Sequence, residues 1–261
     1  MSAQIDWKTS EEAIAGVKMH LLRAGSGETV LILHHDIGTL DRTAFYDTLA
    51  VSFDTLVPHH PGYCRSERPG WMRSVRDIAV CHRWLLSSLG LEKVSLIGLG
   101  FGGWIAAEMA TMAPSLVQKL VLVGAMGVKP SDGFIMDQAL WNHLEYTKAG
   151  FHDNAAYAAV FGEEPPTDLV VDWEVCREMS FRIAWKPYMY SQTLPHLLGA
   201  ISTPALVVWG ADDKIVPRNA GDIYAERLPN ARLEIIKACG HFVDLEKPAE
   251  LAELVTEFFA G

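Results

Sequence analysis

The stretch SLIGLGFGGWIAAEMA, residues 95–110, carries the signals of a strand, a turn and a helix in immediate succession. Residues 94–98 form an apolar run without alternation, as in a strand buried on both faces. Glycines at 98, 100, 102 and 103 then allow a sharp turn and a close approach of strand and helix. From Gly102 to Met112 the apolar spacing is helical. A buried strand feeding a helix through such a turn is the building unit of a parallel sheet.

The same alternation extends outward in both directions. Further buried strands are expected at Thr29–His34, Asp54–Pro58, Lys119–Gly124, Ala205–Gly210 and Ala231–Ile236. Helical patterns fall at 43–52, Ser74–Leu89 (with Gly90 as C-cap), 218–228 and Pro248–Phe259. Residues 15–23 read as an early edge strand. The fold class is therefore α/β, a doubly wound and mostly parallel sheet. Residues 126–200 break the alternation with helical patterns at 137–149, 153–161 and 168–184. They read as a helical cap inserted over the carboxyl edge of a core made of residues 1–125 and 201–261.

Composition narrows the partners. The chain has 261 residues and a formal net charge of −10, so a nucleic-acid partner is excluded. No apolar run approaches the roughly 20 residues of a membrane span, and the polar start lacks a signal-peptide core. A cytoplasmic protein without a membrane partner is expected. Cys64, Cys81, Cys176 and Cys239 have no metal-like spacing and read as reduced thiols, mostly buried. Assembly into a homodimer is left open.

The order of the motifs resembles that of the α/β-hydrolase fold family over nearly the whole chain. A strand ends in LHHDIG (33–38), the next in VPHHPGYCRS (57–66), and GLGFGG (98–103) follows. After residues 126–200 come VVWGADDKIVP (207–217) and CGHFVDLEKPAEL (239–251). The likeness is greatest to the smaller capped members acting on esters, C–C bonds, epoxides or haloalkanes. It implies the chain order nucleophile, acid, histidine. The acid position is Asp213 and the histidine position His241, while the nucleophile position holds Gly100. Glycine adopts an elbow's strained angles freely, so the fold loses nothing, and a serine restored there should be tolerated. Acyl-enzyme catalysis, however, loses its nucleophile; removing the corresponding serine elsewhere costs roughly 10⁶ in kcat.

The resemblance further implies an oxyanion hole from the backbone N–H groups of Phe101 and of His35, which stands where a glycine is common. His35 would add a hydrogen-bond donor to the pocket. Asp36, Trp104, Trp141, Trp185, Tyr188 and Phe242 are expected to line a mainly apolar pocket. Cys64 is read as structural. No cofactor and no metal is expected.

The first functional expectation is a hydrolase or lyase of a small, largely apolar or aromatic molecule. It would work without a serine nucleophile, with His241 as general base and Asp213 orienting it. A catalytically silent ligand-binding protein is the alternative. Ranked below both is a metal-assisted hydrolase using the cluster His34, His35, His59 and His60.

Overall fold

A computed structural model describes residues 5–261. In chain order the elements are β1 Lys8–Ile14, β2 Val17–Ala24, β3 Thr29–Leu33, α1 Ala44–Ala50, β4 Asp54–Pro58, α2 Val75–Ser88, β5 Val94–Leu99, α3 Phe101–Met112 and β6 Val117–Val123. They continue as α4 His143–Ala149, α5 Asn154–Phe161, α6 Thr167–Ala184, α7 Leu194–Leu197, β7 Ala205–Gly210, α8 Asn219–Arg227, β8 Ala231–Ile236, α9 Val243–Glu246 and α10 Pro248–Ala260. The strands form one sheet in the order β1-β2-β4-β3-β5-β6-β7-β8. The pairs β1/β2 and β2/β4 are antiparallel, and all the others are parallel.

The unbroken apolar runs have a physical reason. Every residue of β4, β5 and β7 is buried, because helices cover both faces of the sheet. Side chains still alternate with period two. Leu31, Leu33, Leu96, Leu120, Leu122 and Val207 join the core under α2 and α3. Val30, Ile32, Ile97, Val121, Val123 and Val208 join the one under α1 and α10. Burying each such side chain contributes on the order of 1.5–3 kcal/mol, so the central strands anchor the site that grows from their ends.

Two expectations need correction. The edge strand is not residues 15–23: Val17–Ala24 pairs on both sides, and β1 lies outside it. β1 is mostly exposed and polar, which is how a protein blunts a sheet edge and why its composition hides it. The helix expected from residue 137 begins only at His143. Asn142 accepts the Glu145 N–H at 2.9 Å while Glu145 accepts the Asn142 N–H, a capping box that fixes the start. Otherwise helices lie where they were expected between β6 and β7, and the only pairing of residues 126–200 among those described is an isolated bridge, Gly127 with Tyr190. Among the described residues no helix is long and apolar enough to cross a membrane.

The turn between β5 and α3 sets the position of everything that follows. Gly100 has φ 53° and ψ −111°, a left-handed conformation that favours glycine. Its N–H donates to the Val123 carbonyl at 2.8 Å, and its own carbonyl accepts from Met126 at 2.9 Å. A Cβ at Gly98 would stand 2.5 Å from the Gly103 Cα, so α3 can start this close only because both residues lack side chains.

Candidate active site

The carboxyl ends of neighbouring strands bring the candidate residues together. His34, His35 and Asp36 follow β3, Gly100 follows β5, Asp213 follows β7 and His241 follows β8. His241 is fully buried, and its Nδ1 lies 2.8 Å from Asp213 Oδ2. The other oxygen of Asp213 accepts the N–H groups of Ile215 and Val216, both at 2.8 Å, which lock the carboxylate in place. Nε2 has no hydrogen-bond partner; in the neutral ring, with Nδ1–H donated to Asp213, it carries a lone pair. Burial alone would push this imidazole down. The charge and hydrogen bond of Asp213, with the charges of Asp36 and Asp244, outweigh that and raise it above its ordinary value.

Nε2 faces the turn. A Cβ at residue 100 would stand 2.9 Å from His241 Nε2 and 2.5 Å from His35 Nδ1. With His35 in place glycine is thus needed here for space, and it also relieves the strain of the backbone angle. His35 is almost fully buried, and its Nε2 lies 2.8 Å from Asp244 Oδ1. This corrects the expected donor role of its side chain: the Nε2–H goes to Asp244, so the neutral ring presents an accepting Nδ1 to the pocket. Asp36 completes the cluster. Its Oδ2 accepts from Tyr146 Oη at 2.7 Å and from Gln138 Nε2, while its Oδ1 is buried and unpartnered. One ligating atom each of His35, Asp36 and His241 lies within 4.8 Å of the other two.

The remaining expected residues separate. Phe242 is buried edge-on against His35 and His241, with ring centroids 4.9 and 5.2 Å away. The Phe101 ring packs beside Tyr63 and Trp104, while its N–H opens α3 and so has no intrahelical acceptor. Trp104 is buried over Gly127 in the core, which corrects its expected place in the pocket. Trp185 is half exposed and packs on Phe181 and Tyr188, outside the cluster. Tyr188 accepts the Gln138 N–H at 2.9 Å, one residue contact away from Asp36. Trp141 is half exposed and lines a small recess with Gln138 and Tyr146. Beside His35 and Asp244 a second recess is walled by Ile37, Leu40, Phe161, Leu169, Trp173 and Leu245. Cys64 places its Sγ 3.8 Å from that of Cys176.

The four-histidine metal cluster is not formed. His34 and His60 stack at 3.7 Å, but their nitrogens are spent inside the protein. His34 Nδ1 pairs with the His35 carbonyl, and its Nε2 accepts the His60 N–H. His60 Nε2 pairs with the His34 carbonyl and Nδ1 with His82. Burial, then His20 and Arg65, hold His59 at about 3, and burial with His34 holds His82 at about 3. Both stay neutral in the folded protein, whereas unfolded imidazoles bind protons near 6.5. The folded state therefore binds fewer protons below that pH. Its stability is complete above about 6.5 and is lost towards about 3, at roughly 1.4 kcal/mol per pH unit per histidine. Urea unfolding should show stability falling between pH 6.5 and 5 by at least the roughly 3 kcal/mol of this pair, since burial lowers His34 and His60 as well; a flat profile over that window contradicts neutral burial.

Three partners escaped the sequence: Asp244, Tyr146 and Gln138. Only Asp244 left a signal, as a carboxylate three residues beyond His241.

The comparisons with known proteins agree with this architecture. Residues 30–254 match the model of the Alpha/beta hydrolase family. The chain is 28% identical to a 2-hydroxy-6-oxononadienedioate/2-hydroxy-6-oxononatrienedioate hydrolase of Dechloromonas aromatica (strain RCB), over 95% of this chain and 92% of that protein. It is 29% identical to the 2-hydroxymuconate semialdehyde hydrolase of Pseudomonas sp. (strain CF600), over 94% and 92%. Among solved structures, a meta-cleavage product hydrolase from Pseudomonas fluorescens IP01 superposes with a TM-score of 0.80 at 20% identity, covering 96% of this chain and 97% of that one. By fold, by the order of its parts and by the family match, this chain belongs to the alpha/beta hydrolase family.

Proposed function

We propose that this protein hydrolyses a small, largely apolar or aromatic-derived carbonyl compound with water, not a serine, as the attacking group. Gly100 occupies the family's nucleophile position and puts no side chain between the turn and His241. The observation that carries the proposal is the buried, unpartnered His241 Nε2, aimed at that space and oriented through Nδ1 by Asp213 at 2.8 Å. A buried water needs two to four polar partners, and His35 Nδ1 and Asp36 Oδ1 are available beside His241.

The chemistry follows from those positions. The water oxygen attacks the carbonyl carbon while its proton passes to His241 Nε2. Negative charge develops on the carbonyl oxygen, where the backbone N–H groups of Phe101 and His35 would receive it. His241 then returns the proton to the leaving group. The recess beside His35 is walled in part by apolar side chains, but at about 20 Å³ it takes a conjugated or aromatic body only if the helices over it move apart. The relatives are named for conjugated oxo-acids, so compounds of that class head the substrate panel.

The test is turnover of metal-free protein on 2-hydroxymuconate semialdehyde, 2-hydroxy-6-oxononadienedioate and aryl esters, with and without fluorophosphonate. Hydrolysis that the probe does not inhibit is expected. Inhibition with covalent labelling would reveal a missed nucleophile. Ligand binding without any turnover would favour the silent binding protein.

A further inference from the structure

The cluster at the bottom of the site has an imbalance that a water molecule does not remove. His241 donates Nδ1–H to Asp213 and His35 donates Nε2–H to Asp244, so with both rings neutral each turns a lone pair inward. Asp36 Oδ1 adds a third acceptor. A water offers two hydrogens to three converging acceptors. Among the described residues, the carboxylates of Asp36, Asp213 and Asp244 hydrogen-bond to histidine rings, Tyr146, Gln138 and backbone N–H groups, and to no lysine or arginine. Buried negative charge with inward lone pairs is the electrostatics of a cation site.

We propose that His35 Nδ1, Asp36 Oδ1 and His241 Nε2 bind a divalent transition-metal ion beside Gly100. Two imidazoles and one carboxylate are a donor set suited to Zn²⁺ or Fe²⁺. The outer partners are already in place. Asp213 and Asp244 each hold the remote nitrogen of a ligating histidine, the arrangement that fixes tautomer and ring orientation in metal sites. Tyr146 and Gln138 hold the remote oxygen of Asp36 in the same way. One ligand atom from each of the three residues lies within 4.8 Å of the other two. A tetrahedral ion with bonds of about 2.0–2.2 Å needs its ligands roughly 3.3 Å apart, so side-chain rotations of about 1–1.5 Å close the site. Three protein ligands leave a position open toward residue 100. This site differs from the excluded four-histidine cluster, sharing only His35 with it.

The inference rests on the cluster's geometry and not on the hydrolytic proposal. An ion on His241 Nε2 takes the lone pair that the general-base route uses. The loaded and metal-free proteins are therefore two exclusive states of one site, and each has its own test.

Zn²⁺ and Co²⁺ titrated into chelator-treated full-length protein should bind at one ion per chain. Cu²⁺ bound there should show coupling to two imidazole nitrogens by pulsed electron paramagnetic resonance. Asp244→Asn, which loosens His35 without removing a ligand, should weaken binding roughly 10–100-fold. Asp36→Asn should weaken it at least as much. Gly100→Ala should abolish it, because its Cβ falls 2.5 and 2.9 Å from two ligand atoms. Circular dichroism checks the fold of each variant. Absence of stoichiometric binding by the wild type overturns the proposal, whatever the variants do. So does binding that Gly100→Ala and Asp36→Asn leave unchanged, since the ion then sits elsewhere. Turnover of the chelated protein bears only on the hydrolytic proposal.

Discussion

Gly100→Ser alone will leave the protein inert to fluorophosphonates, whereas Gly100→Ser combined with His35→Gly will make it reactive. The turn itself does not forbid serine, since related elbows hold one in a strained conformation. The obstacle is His35. A Cβ at residue 100 would stand 2.5 Å from its Nδ1, well inside any real carbon–nitrogen contact. The ring cannot swing aside cheaply, because Asp244 holds Nε2 at 2.8 Å and Phe242 packs edge-on against it. The second clash, 2.9 Å to His241 Nε2, needs a shift of only a few tenths of an ångström. With the ring gone, Ser, His241 and Asp213 complete a triad. Removing the serine from such a triad costs roughly 10⁶ in kcat, so even a poorly placed one should raise ester hydrolysis by about 10³-fold. Loss of the buried ring costs on the order of 3 kcal/mol, which thermal unfolding will show. Intact-mass spectrometry after probe treatment reads the outcome. Equal labelling of the single and double variants would mean that His35 is not what keeps a nucleophile out.

The same residue marks the boundary of what sequence could convey. The buried strands were legible because burial on both faces enforces apolar runs, and the match at Asp54–Pro58 and Ala205–Gly210 is complete; the bounds of the half-exposed strand Ala231–Ile236 match as well. The pairing of His241 with Asp213 was legible through the order of motifs, and Asp36 through its place in LHHDIG. The direction of a side chain was not. His34 and His60 look like ligands in one dimension, yet their nitrogens are turned into a structural network, and His59 spends its Nδ1 on the Arg65 N–H. Trp104 and Trp185 look like pocket aromatics, yet one fills the core and the other faces solvent. Tyr146 and Asp36 are 110 positions apart, and His35 and Asp244 are 209, so no local pattern links them. The polar strand Lys8–Ile14 was missed for the opposite reason, because an edge exposed to water carries no apolar signal.

His241→Ala in the metal-free protein should lower kcat about 10²–10⁴-fold while leaving KM nearly unchanged. The imidazole is buried and makes its hydrogen bond to Asp213 in the free protein, so the substrate's ground state gains little from it. Its contribution appears when the water's proton moves, which confines the loss to the transition state. Asp213→Asn should give a loss of similar size by a different route. The amide can offer an N–H to Nδ1, which then turns its lone pair outward and moves the proton to Nε2, where a base is needed. The two losses should not add, because both remove one working unit; the double variant should resemble the slower single one. Tyr146 and Asp244 hold other members of the cluster and should not reproduce this pattern. Steady-state kinetics on whichever panel compound is turned over supplies the measurement. A rise in KM at constant kcat would make His241 a binding group. Full activity in His241→Ala would remove the general base altogether, and with it the reason for water to attack beside Gly100.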